Sequence, residues 1–270
     1  MEVIPLSAHI GAEVKGVDVT KPIDDATANE LRAAFEKHLL LLIRQPGVSA
    51  DDQTNFGNLF GDVRLRTKYS VPVAVPMAQF VSNARPDGIL GDVELLYHQD
   101  HCFFDLPLKA LALYGIEIPP SGSVTKFRNA ISMLECLPAD LRARCDKVRN
   151  LFDGDLTPPH DPSKSKDEQP RAWHSYVWTD PECGRQSLLA SPTTISAYDG
   201  ISPEDGKKLF DEVWDCVNSH PEFEYAHTWR PGDLIVWHNC LSQHARMPFN
   251  GAEPRTLRRT QIHYRGTYDA

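Results

Sequence analysis

The stretch Tyr97-His98-Gln99-Asp100-His101-Cys102-Phe103-Phe104 (YHQDHCFF, 97–104) decides how this chain is read. It has the aromatic content of a β-strand, and side chains two apart on a strand share a face. On that reading His98 and Asp100 project together and Gln99 points away. Two imidazoles and one carboxylate would occupy one face of an octahedral Fe(II) and leave the opposite face open to substrate chemistry and O₂. The pair needs a second histidine from elsewhere. Of the 11 histidines, His101, His174, His227, His238, His244 and His263 are all conceivable, and spacing alone does not choose among them.

Outward from that stretch, the segment WRPGDLIVWHNCLSQHARMPF (229–249) carries His244, and a basic cluster follows it: Arg246, Arg255, Arg258 and Arg259. TLRRTQIHYRG (256–266) reads as a strand, so Arg258 and Arg259 face opposite ways, and Arg255 lies before the run. A guanidinium is a bidentate partner for a dicarboxylate cosubstrate. Arg259, Cys102 and Phe104 are candidate substrate contacts. Cys102 shares the ligand face if the strand through His98 continues unbroken. An anion contact from Arg259 would suit an organic acid as substrate.

The chain has 270 residues, 41% hydrophobic and 24% charged, with a formal net charge of −9. That composition fits a globular core, and it argues against nucleic-acid and anionic-membrane partners, which need basic surfaces. The six cysteines show no C-x-x-C pair, consistent with reduced thiols in a cytoplasmic protein. The N-terminus does not read as a signal peptide, and no apolar run approaches the roughly 20 residues of a membrane helix.

Short strands are expected over residues 1–20. Asp24 or Asp25 would cap a helix through about Ile43, and Asp51 and Asp52 begin a second, ended by Gly61. From Val63 to Tyr114 the pattern is β. Leu134 to Val148 reads as a helix, and another follows Ser202 with Pro203 at its first position. TPPHDPSKSKDEQPR (157–171) is Pro-rich and charged, the composition of a surface loop or lid. No repeat or linker interrupts the chain, so one domain over 1–270 is expected: mainly β with flanking α-helices.

Taken together these segments resemble the taurine dioxygenase/2,4-dichlorophenoxyacetate dioxygenase family of Fe(II)/2-oxoglutarate-dependent dioxygenases. GAEVKGVDVTKPIDDATANELRAAFEKHLLLLIRQ resembles the amino-terminal region, and FGNLFGDV the turn after it. YHQDHCFFDLPLKALALYGIEIPPSGSVTKFRN resembles the first-ligand and threonine strands, WRPGDLIVWHNCLSQHARMPF the distal-histidine segment and PRTLRRT the arginine segment. The resemblance implies a double-stranded β-helix (jelly-roll, cupin-like) core, and Fe(II) held by His98, Asp100 and His244. It also implies 2-oxoglutarate and O₂ as cosubstrates, with Thr125 and Arg255 on the distal carboxylate and Arg259 as a second arginine that meets anionic substrates in some members. Small-molecule substrates and homo-oligomers are the family habit. Because Asp100 is present, oxygen transfer is implied rather than halogenation. The chain departs from the family at His238 (family Trp-Asp-Asn, here Trp237-His238-Asn239), at Gly122-Ser123-Val124 (family Gly-Gly-Asp) and at Tyr97. Two other readings share the scaffold: a cupin-type oxygenase or isomerase without 2-oxoglutarate, and a non-catalytic jelly-roll binding protein.

Overall fold

The computed structural model describes residues 1–65, 77–156 and 168–267. The chain opens with β1 (Glu2–Pro5), β2 (Ala12–Lys15), α1 (Asp25–His38), β3 (Leu40–Arg44), α2 (Ala50–Gly57) and β4 (Asp62–Val63). Next come β5 (Gln79–Ser82), β6 (Gly88–Leu90), β7 (Leu95–His98), β8 (Ala110–Glu117) and β9 (Val124–Asn129). Then follow α3 (Ala130–Glu135), α4 (Ala139–Cys145), β10 (Arg149–Asp153), β11 (Arg171–Ser175), β12 (Val177–Thr179), β13 (Gln186–Leu188) and β14 (Ile195–Asp199). The last elements are α5 (Pro203–Asn218), β15 (Glu224–Thr228), β16 (Asp233–His238), β17 (Ser242–Arg246) and β18 (Thr256–His263).

Two sheets make the jelly-roll core. The larger has the order β1-β2-β3-β16-β8-β18-β5-β6, with β4 also on β18, and the smaller is β15-β9-β17-β7. Between them lies an apolar layer from both sheets, including Leu40, Leu42, Leu111, Leu113, Phe127, Ile235, Trp237 and Leu257. The outer face of the larger sheet is closed by α1 and α2, whose Leu31, Phe35 and Phe56 pack on Leu41, Ile43, Ala112, Val236 and Ile262. Alternate residues of β3, β8, β16 and β18 therefore enter different cores, and a strand buried on both faces reads as a continuous apolar run.

This double burial explains the main departure from the sequence reading. The helix expected through Ile43 stops at His38, and LLLIR forms β3 between β2 and β16. Leucine suits a helix, and the run carries no period that marks a strand, so only its place in the sheet decides. Leu39 makes the break with a left-handed backbone (φ 61°), its N–H donating to Phe35 O. The start was legible: Asp24 caps α1 through Thr27 N–H. Ser49 and Asp52 form a reciprocal capping box on α2, which ends at Gly57 rather than Gly61.

The helix expected over Leu134–Val148 is two short helices, α3 and α4, separated at Pro138, which lacks the N–H an uninterrupted helix needs. With α5, capped by Ser202, they pack on Tyr176 and Leu188 in a third apolar cluster. Most of the loop expected over 157–171 lies outside the described residues, and its last member, Arg171, begins β11. Among the described residues no helix is long and apolar enough to cross a membrane.

Candidate metal centre and cosubstrate clamp

β7 and β17 are antiparallel neighbours in the smaller sheet, and their register sets His98 directly opposite His244. The two rings lie 4.2 Å apart, centroid to centroid. A distant histidine thus arrives by ordinary strand pairing.

Asp100 arrives differently. The strand expected over 97–104 ends at His98, and Asp100 and His101 sit in a turn, His101 with a left-handed φ of 59°. Strand alternation therefore does not bring the carboxylate to the histidines; a pinned turn does. Asn239 does the pinning: its Oδ1 accepts from Asp100 N–H at 2.8 Å, and its Nδ2 donates to Asp100 O at 2.8 Å and to Leu108 O at 3.0 Å. Gln99 does point away, donating to Leu188 O at 2.9 Å.

One potential ligand atom from each of His98, Asp100 and His244 lies within 4.8 Å of the others, the one such cluster among the described residues. His98 donates from Nδ1 to Leu96 O at 2.7 Å, a bond that orients the ring with Nε2 toward the cluster. That Nε2 is 3.3 Å from Asp100 Oδ1, while Asp100 Oδ2 accepts from Arg259 Nη2 at 2.6 Å. One carboxylate oxygen faces the histidines and the other is occupied by a guanidinium. Burial acts to raise the Asp100 carboxyl, but Arg259 and the two imidazoles outweigh it and hold it well below the ordinary range. Burial, with His98 nearby, pushes His244 down to about 3, so its ring is neutral at pH 7. His244 packs on Trp237, and its Nδ1 is buried without a hydrogen-bond partner. Two imidazoles, an ionised carboxylate and an orphaned buried nitrogen fit a divalent cation.

The same cavity is lined by Thr125, Arg246, Arg255 and Arg259. Arg255 is 1% exposed; its Nε donates to Ser123 Oγ at 2.7 Å, and its Nη1 is buried with no hydrogen-bond partner. Burial, with Arg246 nearby, draws Arg255 down to about 9, which leaves it cationic at neutral pH. A buried cation with an unused donor fits an anion. Thr125 on β9 pairs with Arg246 on β17, and its Oγ1 accepts from Trp229 Nε1 at 2.8 Å, which leaves the hydroxyl proton to donate. This set fits the distal carboxylate of 2-oxoglutarate.

Arg258 and Arg259 do face opposite ways. Arg258 donates through the α2 side to Gln53 Oε1, Val48 O and Ser49 O. Arg259 faces the cavity, but its partners are Asp100 and Gln79. Cys102 packs with Phe103, Phe152, Leu189 and Cys240, with Phe104 against them, and neither Cys102 nor Phe104 lines the cavity. The chain turns after His98, so the alternation expected to carry Cys102 onto the ligand face is lost. His238 lies behind the site on the outer face of β16, stacked on Phe35, its Nε2 3.4 Å from Asp180 Oδ2. Sequence reasoning missed the roles of Asn239, Ser123 and Trp229; of these only Ser123 falls at a noted departure, while Asn239 is the neighbour of one and Trp229 carried no signal.

The family model described as "Taurine catabolism dioxygenase TauD, TfdA family" matches residues 2–261. The chain belongs to this family. It is similar to pentalenolactone F synthase of Streptomyces avermitilis, at 27% identity over 95% of this chain and 91% of the relative. The alpha-ketoglutarate-dependent sulfate ester dioxygenase of Pseudomonas putida is 28% identical over 97% of this chain and 89% of that protein. Among solved structures, a taurine dioxygenase from Burkholderia xenovorans superposes with a TM-score of 0.80 at 29% identity, covering 97% of this chain and 88% of that one. The TauD/TfdA chain is thus an Fe(II)- and 2-oxoglutarate-dependent dioxygenase acting on a small organic substrate. The cupin-type and non-catalytic readings give way to it.

Proposed function

We propose that His98, Asp100 and His244 hold the Fe(II), that Thr125 and Arg255 hold the distal carboxylate of 2-oxoglutarate, and that the reaction is hydroxylation. The observation that carries this reading is the convergence on one cavity of a two-imidazole and carboxylate cluster with a buried, partly unpartnered guanidinium. With Fe(II) bound, 2-oxoglutarate and O₂ supply the oxidation: one oxygen atom leaves in succinate as CO₂ is released, and the other enters the substrate.

The residues divide the remaining work. Asn239 and Arg259 orient Asp100, and the Leu96 carbonyl orients His98. Trp237 and Phe127 flank His244 and keep water from it. Ser123 and Trp229 set the donors of Arg255 and Thr125, so the clamp is oriented before its anion arrives. The test is stoichiometric: succinate should form only when Fe(II), 2-oxoglutarate and O₂ are all supplied. Succinate formation in the presence of a strong iron chelator would overturn the metal assignment.

A further inference from the structure

The cavity that holds Thr125 and Arg255 holds a second buried guanidinium. Arg246 follows His244 on β17, and the sheet register sets it opposite Thr125 on β9. It is 4% exposed and lines the same cavity as Thr125 and Arg255. Both guanidiniums approach one aromatic ring: Arg246 Cζ is 5.7 Å from the Phe249 centroid and Arg255 Cζ is 5.4 Å from it. They are near enough that Arg246 helps to draw Arg255 down.

The fork of Arg246 is engaged. Nη1 donates to Gly91 O at 3.1 Å, and Nη2 donates to Leu90 O at 2.8 Å and to Val93 O, which pins the turn that precedes β7. Those carbonyls satisfy N–H groups but carry no net charge. Asp92 attracts Arg246 from the same turn, yet among the described residues it forms no ion pair with it. Nε of Arg246 is buried without a hydrogen-bond partner, as is Nη1 of Arg255. Anchoring a turn explains the fork; it does not explain a leftover donor on the cavity wall opposite Thr125. Two buried cations that line one cavity repel each other, and each unused donor carries a desolvation cost. One carboxylate relieves both, because its two oxygens offer about four acceptor sites.

Resting on the clamp proposed above, we infer that Arg246 is a further cosubstrate-binding residue, a second cation for the distal carboxylate of 2-oxoglutarate beside Arg255 and Thr125. The same side chain then joins the cosubstrate pocket to the turn that leads into the first ligand strand.

Fe(II) attracts the keto-acid head of the cosubstrate, so the test keeps the head and removes only the tail charge. 2-Oxopentanoate has the carbon skeleton and head of 2-oxoglutarate, with a methyl group in place of the distal carboxylate. Calorimetry on the Fe(II)-loaded chain, without O₂, gives the affinity for each acid. Arg246→Gln should weaken 2-oxoglutarate by about tenfold, the scale of one charge-assisted hydrogen bond, and leave the affinities for 2-oxopentanoate and Fe(II) unchanged. Arg246→Lys keeps a cation but loses the Nε–H at that position, and should cost 2-oxoglutarate about threefold, again without moving the methyl analogue. The Lys variant decides the question should the Gln variant fail to fold. An equal loss for both acids would make Arg246 a turn anchor only, and an unchanged 2-oxoglutarate affinity would leave the clamp to Arg255 and Thr125; either result overturns the inference. Arg255→Ala, measured alongside, separates this from the reading beneath it: if that variant also keeps the full preference for 2-oxoglutarate, the clamp assignment itself falls.

Discussion

The inner and outer ends of this cavity are built in opposite ways. At the inner end, His98 and His244 face each other across paired strands, Thr125 sits on the neighbouring strand, and Arg255 is buried against Ser123. At the outer end Val93, Leu96 and Leu156 are exposed, Val93 in the turn that Arg246 ties down and Leu96 on β7 just after it. Strand register holds cation and anion donors to fixed positions, which suits an iron and a cosubstrate that do not change. The outer end carries exposed side chains on the turn before β7, on β7 itself and at the end of the segment after β10.

The largest effect should come from the inner end. Asp100→Ala removes the one carboxylate of the cluster, and metal-dependent turnover should fall to background, with metal binding followed by titration calorimetry. Retained Fe(II) affinity in that variant would erase the distinction between the two ends. Next in size, Arg255→Ala should raise the concentration of 2-oxoglutarate required by on the order of a hundredfold, since truncating one partner of a buried charge pair costs about 2–5 kcal/mol. An unchanged requirement would show that the clamp lies elsewhere. Asn239→Ala should weaken metal binding by about ten- to a hundredfold, the usual cost of losing an outer-sphere support, while the 2-oxoglutarate requirement at saturating metal holds steady.

The smallest effect concerns acid. Asp180 accepts from Tyr264 Oη at 2.6 Å and lies beside His238 behind the inner wall. Burial acts to raise its carboxyl, but His238 and Tyr264 outweigh it and hold it below the ordinary range. Its folded pKa is depressed, so its contribution to stability is complete above the ordinary carboxylate range and declines as pH falls beneath it. Asp180→Asn should lower stability at neutral pH and flatten the decline in acid, read from denaturant midpoints at several pH values. A parallel acid profile would remove Asp180 from the account.

Much of the inner end was legible. The H-x-D motif marked His98 and Asp100 as candidates, but spacing left six histidines open, and His244 and Arg255 entered only through the family resemblance. The path by which Asp100 reaches the histidines was not legible, since the strand stops at His98 and the turn is held by Asn239, more than a hundred residues away. The partner of Arg259 was hidden for the same reason: sequence shows a cation, not which carboxylate it meets. The LLLLI run failed as a helix because burial on both faces erases the period that separates strand from helix.

Local sequence determined the caps of α1, α2 and α5, the β pattern around the site, and the opposed directions of Arg258 and Arg259. These depend on neighbours in the chain or on the chemistry of single side chains. Tertiary structure alone decided that β3 is a strand, that a turn carries Asp100 and that Arg259 pairs with Asp100 and Gln79. Each of those rests on contacts between segments far apart in the chain, whose free energy no local pattern encodes.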